Sequence, residues 1–264
     1  MSPDIIVLPF LPLETYEQRQ QFEYWVKLMP AITIGPGLGR DPKLLEHFEF
    51  VLECLNGKIV VGDADFFWFI CQDKKKYKKH LNAIKKLVLT PNSGELVRLY
   101  KHLLNQDFQL DKINNALAKA ELSGNDVVEI DIFSLIPEFK ELFKYFDAKN
   151  CSFILKGEMD IILSESKCLV TKNNSSLKRS GGQGDILCGI ATLYSLWCDN
   201  KDIDTANGLA LASFITRQAS FAAFKKHKLG MVAEDMIGEV TKAINEFVDD
   251  EHLFDAKLFG FTKI

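Results

Sequence analysis

The sequence lacks the cysteine patterns that hold structural metals or form disulfide frameworks. Its six cysteines are scattered along the chain: Cys54, Cys71, Cys151, Cys168, Cys188 and Cys198. No two of them form a Cys-x-x-Cys pair and no histidine cluster stands near them, so we predict no metal-ligating residues. Most lie in apolar sequence, where cysteine packs as a small hydrophobic side chain, and this pattern suits a reducing compartment.

Long apolar runs are also missing from the 264 residues. No segment approaches the roughly 20 apolar residues that a membrane-spanning helix needs. The apolar run at residues 4–10 has neither the basic flank nor the small-residue cleavage site of a signal peptide. We therefore expect a soluble, cytoplasmic protein that does not bind membranes.

Excess positive charge is absent, since the formal net charge is −4. This balance argues against a general nucleic-acid binder. Five of the 32 basic residues crowd into residues 74–79. We interpret this run as a solvated helix face, with a patch for phosphate or an acidic partner as the alternative. Repeats, linkers and low-complexity tracts are lacking, so residues 1–264 are predicted to form one domain.

What the chain does contain is an alternation of short apolar runs and amphipathic segments. Strands are predicted at residues 5–8, 31–34, 58–61, 86–89, 151–155, 161–163 and 167–171. Helices are predicted at residues 14–28, 42–52, 93–104, 111–122, 136–146, 185–197, 204–224 and 232–247. The alternation is typical of an α/β fold with a mainly parallel sheet and helices on both faces. Residues 105–150 are interpreted as polar and helical.

Three loops rich in glycine or acidic residues each follow a predicted strand. They occupy residues 35–42, 62–65 and 90–95. Ligands of such sheets bind outside the carboxyl ends of the strands. We therefore expect these loops to converge although they are far apart in sequence.

A fourth loop carries the strongest chemical signal, Gly181-Gly182-Gln183-Gly184-Asp185, followed by an apolar helical pattern. Glycines allow a sharp turn, and the free N–H groups and positive dipole at a helix N-terminus favour phosphate. A carboxylate there can take a proton from a hydroxyl group that attacks the phosphate. The loop is thus interpreted as an anion site with Asp185 as general base, or as a tight turn with Asp185 as an ordinary helix cap.

Together these motifs resemble the NAD(P)H-hydrate dehydratases of the ribokinase-like fold. The resemblance rests on six motifs in order: residues 34–41 (IGPGLGRD), 62–65 (GDAD), 89–92 (LTPN), 155–158 (LKGE), 160–161 (DI) and 181–185 (GGQGD). A later run around Thr216-Arg217-Gln218 is also similar. The resemblance implies an enzyme that uses ATP, with Mg²⁺, to dehydrate hydrated NADH or NADPH.

The resemblance also implies the roles of particular residues. Asp185 would be the catalytic base and would also contact the hydrate. The ATP-binding residues would be Lys156, Gly157, Glu158, Met159, Asp160, Ser175, Ser176, Leu177, Lys178, Arg179, Ser180, Gly181, Gly182, Gln183 and Gly184. The substrate-binding residues would be Gly37, Gly39, Asn92, Ser93, Gly94, Glu95, Leu96, Val97 and Arg98.

Several of these residues have simpler interpretations. Lys156 could be a surface lysine at a strand end. Asp63 and Asp65 could hydrogen-bond loop amides or contact a ligand or Mg²⁺. Asn92 and Glu95 could only cap their helix.

The family pattern begins with a further segment that carries a Gly-Ala-Pro turn, and residues 1–6 match a point well inside that pattern. We therefore expect the N-terminal part of the fold to be missing, which would expose a sheet edge and favour a homo-oligomer. Two other functions stay open: a ribokinase-like kinase for another small alcohol, and an inactive nucleotide-binding relative.

Overall fold

The computed structural model describes residues 11–120, 122 and 126–249, so the strand predicted at residues 5–8 lies outside it. A seven-stranded sheet runs through this part of the chain. Its strands are β1 (Ala31–Ile34), β2 (Ile59–Gly62), β3 (Lys86–Leu89), β4 (Val127–Glu129), β5 (Cys151–Leu155), β6 (Asp160–Leu163) and β7 (Cys168–Thr171). Their spatial order is β1-β2-β3-β5-β6-β7-β4.

Pairing within the sheet is parallel from β1 through β5 and antiparallel beyond it. The predicted mainly parallel sheet is thereby confirmed, and the strands predicted at residues 161–163 and 167–171 pair as an antiparallel hairpin. The carboxyl ends of β1, β2, β3 and β5 consequently lie along one edge.

Eleven α-helices accompany these strands in the described part. They are α1 (Tyr16–Leu28), α2 (Pro42–Cys54), α3 (Asp65–Ile70), α4 (Lys74–Leu81), α5 (Ser93–Leu99), α6 (Asp111–Lys119), α7 (Ile132–Leu135), α8 (Phe139–Tyr145), α9 (Gln183–Lys201), α10 (Thr205–His227) and α11 (Glu234–Asp249). A π-helical turn, Tyr100–Leu104, continues α5.

Two hydrophobic cores separate the helices into layers. On β2, Val60 packs into the core formed by α1 to α8, while its neighbour Val61 packs into the core of α9 to α11. Phe153 and Ile154 on β5 divide in the same way. Successive strand residues point to opposite faces, so both faces are apolar and both are covered by helices. The prediction of helices on both faces is confirmed.

The interpretation of residues 105–150 as helical was wrong at β4. Val127, Val128 and Glu129 pair antiparallel with β7 and form an edge strand of the described sheet. Val127 is buried in the core beneath α9 to α11. Tertiary pairing with β7 outweighs the local sequence, which offers only three residues of strand signal.

The basic run of residues 74–79 forms the exposed face of α4. The ammonium groups of Lys76 and Lys79 lie 3.1 and 3.5 Å from the Glu49 carboxylate of α2. Lys74 donates to the Asn105 side chain, and Lys78 lies over the Tyr145 ring. Lys75, Lys76, Lys78 and Lys79 are exposed on α4, which confirms the interpretation as a solvated helix face.

Acidic pH is expected to loosen the contact between α2 and α4 through Glu49. Hydrogen bonds from His80 and Lys76 lower the pKa of Glu49 from 4.5 to about 2. A carboxyl group with a depressed folded-state pKa stabilises the fold above its unfolded pKa, and this stabilisation is lost as pH falls through the folded value. In urea titrations, Glu49→Gln should therefore lose less stability than wild type between about pH 5 and pH 2. Glu46→Gln, an exposed change on the same helix, is the control. Equal losses in all three proteins would contradict the assignment.

None of the helices in the described residues is long and apolar enough to span a membrane. All six cysteines are free, with four buried and two half-buried.

Candidate functional site

The carboxyl ends of the parallel strands meet around one buried carboxylate. Asp63, directly after β2, is only 2% exposed. Its Oδ1 accepts a hydrogen bond from the Thr90 hydroxyl at 2.7 Å and lies 2.5 Å from the Lys156 ammonium. Thr90 follows β3 and Lys156 follows β5. The expected convergence of loops at this edge is confirmed for Asp63 and Thr90, and Lys156 joins them from the chain after β5.

Lys156 is not the surface lysine that one interpretation proposed. Its backbone N–H donates to the Pro91 carbonyl at 2.9 Å, which joins the chain after β5 to the chain after β3. Its side chain is 20% exposed. The ammonium therefore sits at the strand ends, held by Asp63 on one side and open to solvent on the other.

The glycine-rich turn lies against this ion pair. A Cβ atom placed on Gly184 would stand 3.4 Å from both Asp63 Oδ2 and Lys156 Nζ. Gly184 is the second residue of α9, so the N-terminus of that helix faces the ammonium. A phosphate at this point would meet free backbone N–H groups, a helix dipole and a lysine together.

Asp185 is the next residue of α9 and is exposed. The N-cap position belongs to Gly182, and no side chain caps this helix. The interpretation of Asp185 as an ordinary helix cap was therefore wrong. Its carboxylate has no hydrogen-bond partner among the described residues, so it is free to accept a proton from a ligand.

The turn itself is braced by its neighbours. Gly182 has φ +91°, and a Cβ atom there would come within 2.9 Å of the Ala233 side chain. The Gln183 amide donates to the Lys178 carbonyl and the Ser180 hydroxyl. The Lys178 ammonium donates to the backbone carbonyls of residues 229 and 231. Lys178 thus links the turn to the segment between α10 and α11.

Asn92 and Glu95 cap α5, as one interpretation expected. The Asn92 side chain accepts from the Glu95 N–H at 3.0 Å, and the Glu95 carboxylate accepts from the Asn92 N–H at 2.8 Å. The same Glu95 carboxylate lies 3.9 Å from the Lys156 ammonium, and burial raises its pKa. Glu95 therefore caps a helix and faces the site. Leu96, by contrast, is buried in the core.

Asp65 holds the glycine loop after β1. Its carboxylate accepts from the Gly39 N–H at 3.1 Å and from the Arg40 guanidinium at 2.8 Å. This confirms the interpretation of Asp65 as a residue that hydrogen-bonds loop amides.

Asp160 lies within the predicted ATP-binding segment but is buried and already bonded. It accepts hydrogen bonds from the Gly157 N–H at 3.0 Å and the Ser213 hydroxyl at 2.7 Å. Arg217 and Asn173 belong to the same buried network. The local sequence around Asn173, Ser213 and Arg217 does not show that they share a network with Asp160. No role in the site was therefore predicted for these three residues.

The structure brings together one group of potential metal ligands in its described part, Glu49, Glu53 and His80. These residues lie on α2 and α4 and not at the strand ends. Glu49 already forms ion pairs with Lys76 and Lys79, so the lysine ammonium groups balance its negative charge.

Gly35→Ala is expected to destabilise the protein strongly. Gly35 has φ +118°, and a Cβ atom there would lie 1.8 Å from the Asp63 carbonyl oxygen. The backbone would have to move, at a cost of about 3 kcal/mol or more, and would displace Asp63. Gly37→Ala is the matched control, since nothing lies within 4 Å of its Cβ position; only its positive φ should cost about 1 kcal/mol. Urea unfolding would measure both, and similar losses would contradict the expectation.

The fold defines a structural class. Among solved structures, the chain resembles a hypothetical protein from Streptococcus mutans with a TM-score of 0.63 at 15% identity, over 86% of this chain and 70% of that one. It also resembles a ribokinase-like superfamily protein from Enterococcus faecalis with a TM-score of 0.54 at 17% identity, over 87% of this chain and 68% of that one. The protein thus has a ribokinase-like α/β fold.

Sequence comparison narrows the class to one family. Residues 2–128 and 141–242 match the family model described as NAD(P)H-hydrate dehydratase. Proteins named ATP-dependent (S)-NAD(P)H-hydrate dehydratase from Pongo abelii and Caenorhabditis elegans are each 30% identical over 94% and 93% of this chain. The chain spans 69% and 73% of their lengths, and 65% of the length of the Homo sapiens protein of the same name. The chain belongs to the NAD(P)H-hydrate dehydratase family.

Proposed function

We propose that the protein is an ATP-dependent (S)-NAD(P)H-hydrate dehydratase, which returns hydrated NADH or NADPH to the reduced cofactor with release of ADP and phosphate. One observation carries the proposal. The Lys156 ammonium, fixed by buried Asp63, lies beside Gly184 at the start of α9, and the exposed Asp185 carboxylate follows directly. The names of the relatives support the substrate and the use of ATP.

In the proposed reaction, Asp185 takes the proton from the hydroxyl group of the hydrate. The resulting alkoxide oxygen attacks the γ-phosphorus of ATP, and the bond to the β-phosphate oxygen breaks to give ADP. The phosphorylated carbon then loses phosphate, and the neighbouring ring carbon releases a proton to water as the ring double bond forms. Positioning and charge stabilisation dominate phosphoryl transfer, so the N–H groups of Gly181, Gly182 and Gly184 and the Lys156 ammonium would hold the transferring group.

The proposed ATP site consists of residues 156–160 and 175–184. The proposed hydrate site consists of Gly37, Gly39, residues 92–98 and Asp185. The two sets meet at the carboxyl ends of the strands, where the contacts of Lys156 with Asp63 and Glu95 support their proximity.

We also propose that ATP binds as its Mg²⁺ complex. The donor chemistry fits, because Asp63, Glu95 and Asp185 supply carboxylate oxygens around Lys156 and Gly184. Mg²⁺ is usually held by one or two carboxylates together with substrate phosphates and waters. The ion would neutralise phosphate charge, and no particular carboxylate is assigned as its ligand.

A coupled assay tests the proposal with purified protein, ATP, Mg²⁺ and hydrated NADH. Recovery of NADH absorbance together with release of ADP would support it. Accumulation of a phosphorylated alcohol from another substrate, without NADH recovery, would favour the kinase alternative. Binding of ATP without turnover of any hydrate would favour an inactive nucleotide-binding relative.

Three further expectations remain proposals. A single domain is supported by the continuous seven-stranded sheet of the described residues. A cytoplasmic location is supported by six free cysteines.

Self-association is supported by β1, which lies at a sheet edge beside an apolar cavity of about 430 Å³ in the described part. Sedimentation velocity would measure the oligomeric state.

A further inference from the structure

Arg217 lies in α10, and its side chain is buried, with the residue 8% exposed. A buried guanidinium needs acceptors for its N–H groups, because an unpaired charge away from water is costly. Nη2 of Arg217 donates to the Glu158 carbonyl at 2.6 Å, and Nε donates to the Asn173 carbonyl at 3.0 Å. The Arg217 side chain therefore contacts both the turn after β5 and the chain after β7.

The register of β6 and β7 explains why these carbonyls face each other. The pairing at this end of the ladder is Asp160 opposite Thr171. Glu158 lies two residues before Asp160, and Asn173 lies two residues after Thr171. In an antiparallel ladder these two positions would come opposite each other if the pairing continued. The Arg217 guanidinium occupies that place and bridges the two backbones.

Neighbouring polar groups complete the network. Nη1 of Arg217 lies 3.7 Å from the Asp160 carboxylate, so the buried positive and negative charges face each other. Asp160 also accepts from Gly157 and Ser213, and the Asn173 amide donates to the Phe214 carbonyl. The charge of Arg217 is thus balanced inside the protein and is not directed at solvent.

We propose that Arg217 is a positioning residue that sets the separation between the two halves of the ATP site, and this role rests on the proposed function. On one side of the guanidinium lies the turn of residues 156–160. On the other side, Asn173 begins the chain that leads through residues 175–184 to the glycine turn. Because the Arg217 guanidinium binds the carbonyls of both Glu158 and Asn173, it fixes the distance between the two segments. That distance determines how well the two segments bind the nucleotide.

Arg217→Lys tests the role, because lysine keeps the charge opposite Asp160 but lacks the planar fork that reaches two carbonyls. We expect the KM for ATP to rise about ten-fold or more, while kcat and the KM for hydrated NADH stay within about two-fold. The Kd of a non-hydrolysable ATP analogue, measured calorimetrically, should rise by the same factor. Gln218→Ala is the matched control: the Gln218 amide donates to Glu246 of α11 at 3.2 Å, outside the network.

Ser213→Ala provides a second variant if Arg217→Lys fails to fold. It removes one hydrogen bond from Asp160 and should raise the KM for ATP about three-fold. Unchanged nucleotide affinity in the folded variants, or an equal rise in KM for both substrates, would overturn the role. A wild-type protein that binds the analogue without dehydrating the hydrate would refute the proposed function and leave the affinity comparison decisive for Arg217. A wild-type protein that binds no nucleotide would overturn both proposals.

Discussion

Asp185→Asn is expected to lower the rate of hydrate dehydration by about 10²–10⁴-fold, which is the usual contribution of a general base. Asparagine has nearly the same shape but cannot take the proton of the attacking hydroxyl group. Because the Asp185 side chain is exposed and has no hydrogen-bond partner among the described residues, the fold should be little affected. Loss of a favourable charge at the start of α9 should cost at most about 1 kcal/mol.

The binding of ATP separates this explanation from a general disruption of the site. Removal of a negative charge beside the phosphates should leave the Kd for a non-hydrolysable ATP analogue unchanged or lower it. Asp202→Asn is the matched control, since Asp202 is an exposed aspartate at the opposite end of the same helix. Steady-state assays with calorimetric binding would measure both variants. A dehydration rate of Asp185→Asn close to that of wild type would remove Asp185 from the mechanism.

Lys156→Met is expected to impair both stability and nucleotide binding. The substitution leaves the carboxylate of Asp63, which is 2% exposed, with the Thr90 hydroxyl but without its cation. Removal of one partner of a buried ion pair typically costs about 3–5 kcal/mol, because the other charge stays buried and uncompensated. The lost ammonium should also weaken the binding of the ATP analogue by about ten-fold or more.

The double variant Asp63→Asn with Lys156→Met distinguishes the two effects. It removes both charges, so most of the unfolding free energy should return in urea titrations, whereas the weak nucleotide binding should persist. Lys85→Met is the control for an ion pair at the surface. The Lys85 ammonium pairs with Asp199 at 2.7 Å but its side chain is 53% exposed, and the expected loss is below about 1 kcal/mol. Equal losses for Lys85→Met and Lys156→Met would contradict the central role of the buried pair.

Much of the fold could be predicted from the sequence because local and tertiary signals agree. The strands at residues 31–34 and 86–89 have the predicted bounds, since each apolar run is closed by glycine or proline. The start of α2 at residue 42 is also as predicted, and the Asp41 side chain caps it by accepting from the Lys43 N–H. The short strand β4 could not be predicted, because its pairing with β7 is non-local and leaves little trace in three residues.

The location of the site could be predicted from the sequence, but its hydrogen bonds and ion pairs could not. Three loops were expected at one sheet edge, and the contact of Asp63 with Thr90 confirms that the chains after β2 and β3 meet there. Lys156 shows that the chain after β5, which was not part of that prediction, meets them too. The choice between a capping and a free role for Asp185 needed the backbone geometry of the turn. Arg217 falls in a run that resembles the family, but its role could not be predicted, because the position of its guanidinium depends on where the β6–β7 ladder ends.

The location of β4 has a consequence for how the chain folds during synthesis. β4 precedes its partner β7 by about forty residues of chain, whereas β1, β2 and β3 find their neighbours in the order in which they emerge from the ribosome. The backbone N–H and C=O groups of Val127–Glu129 therefore cannot form their hydrogen bonds with β7 until the hairpin of β6 and β7 has been translated. Closure of this edge therefore depends on a pairing that is non-local in sequence and can form only after β7 has been made.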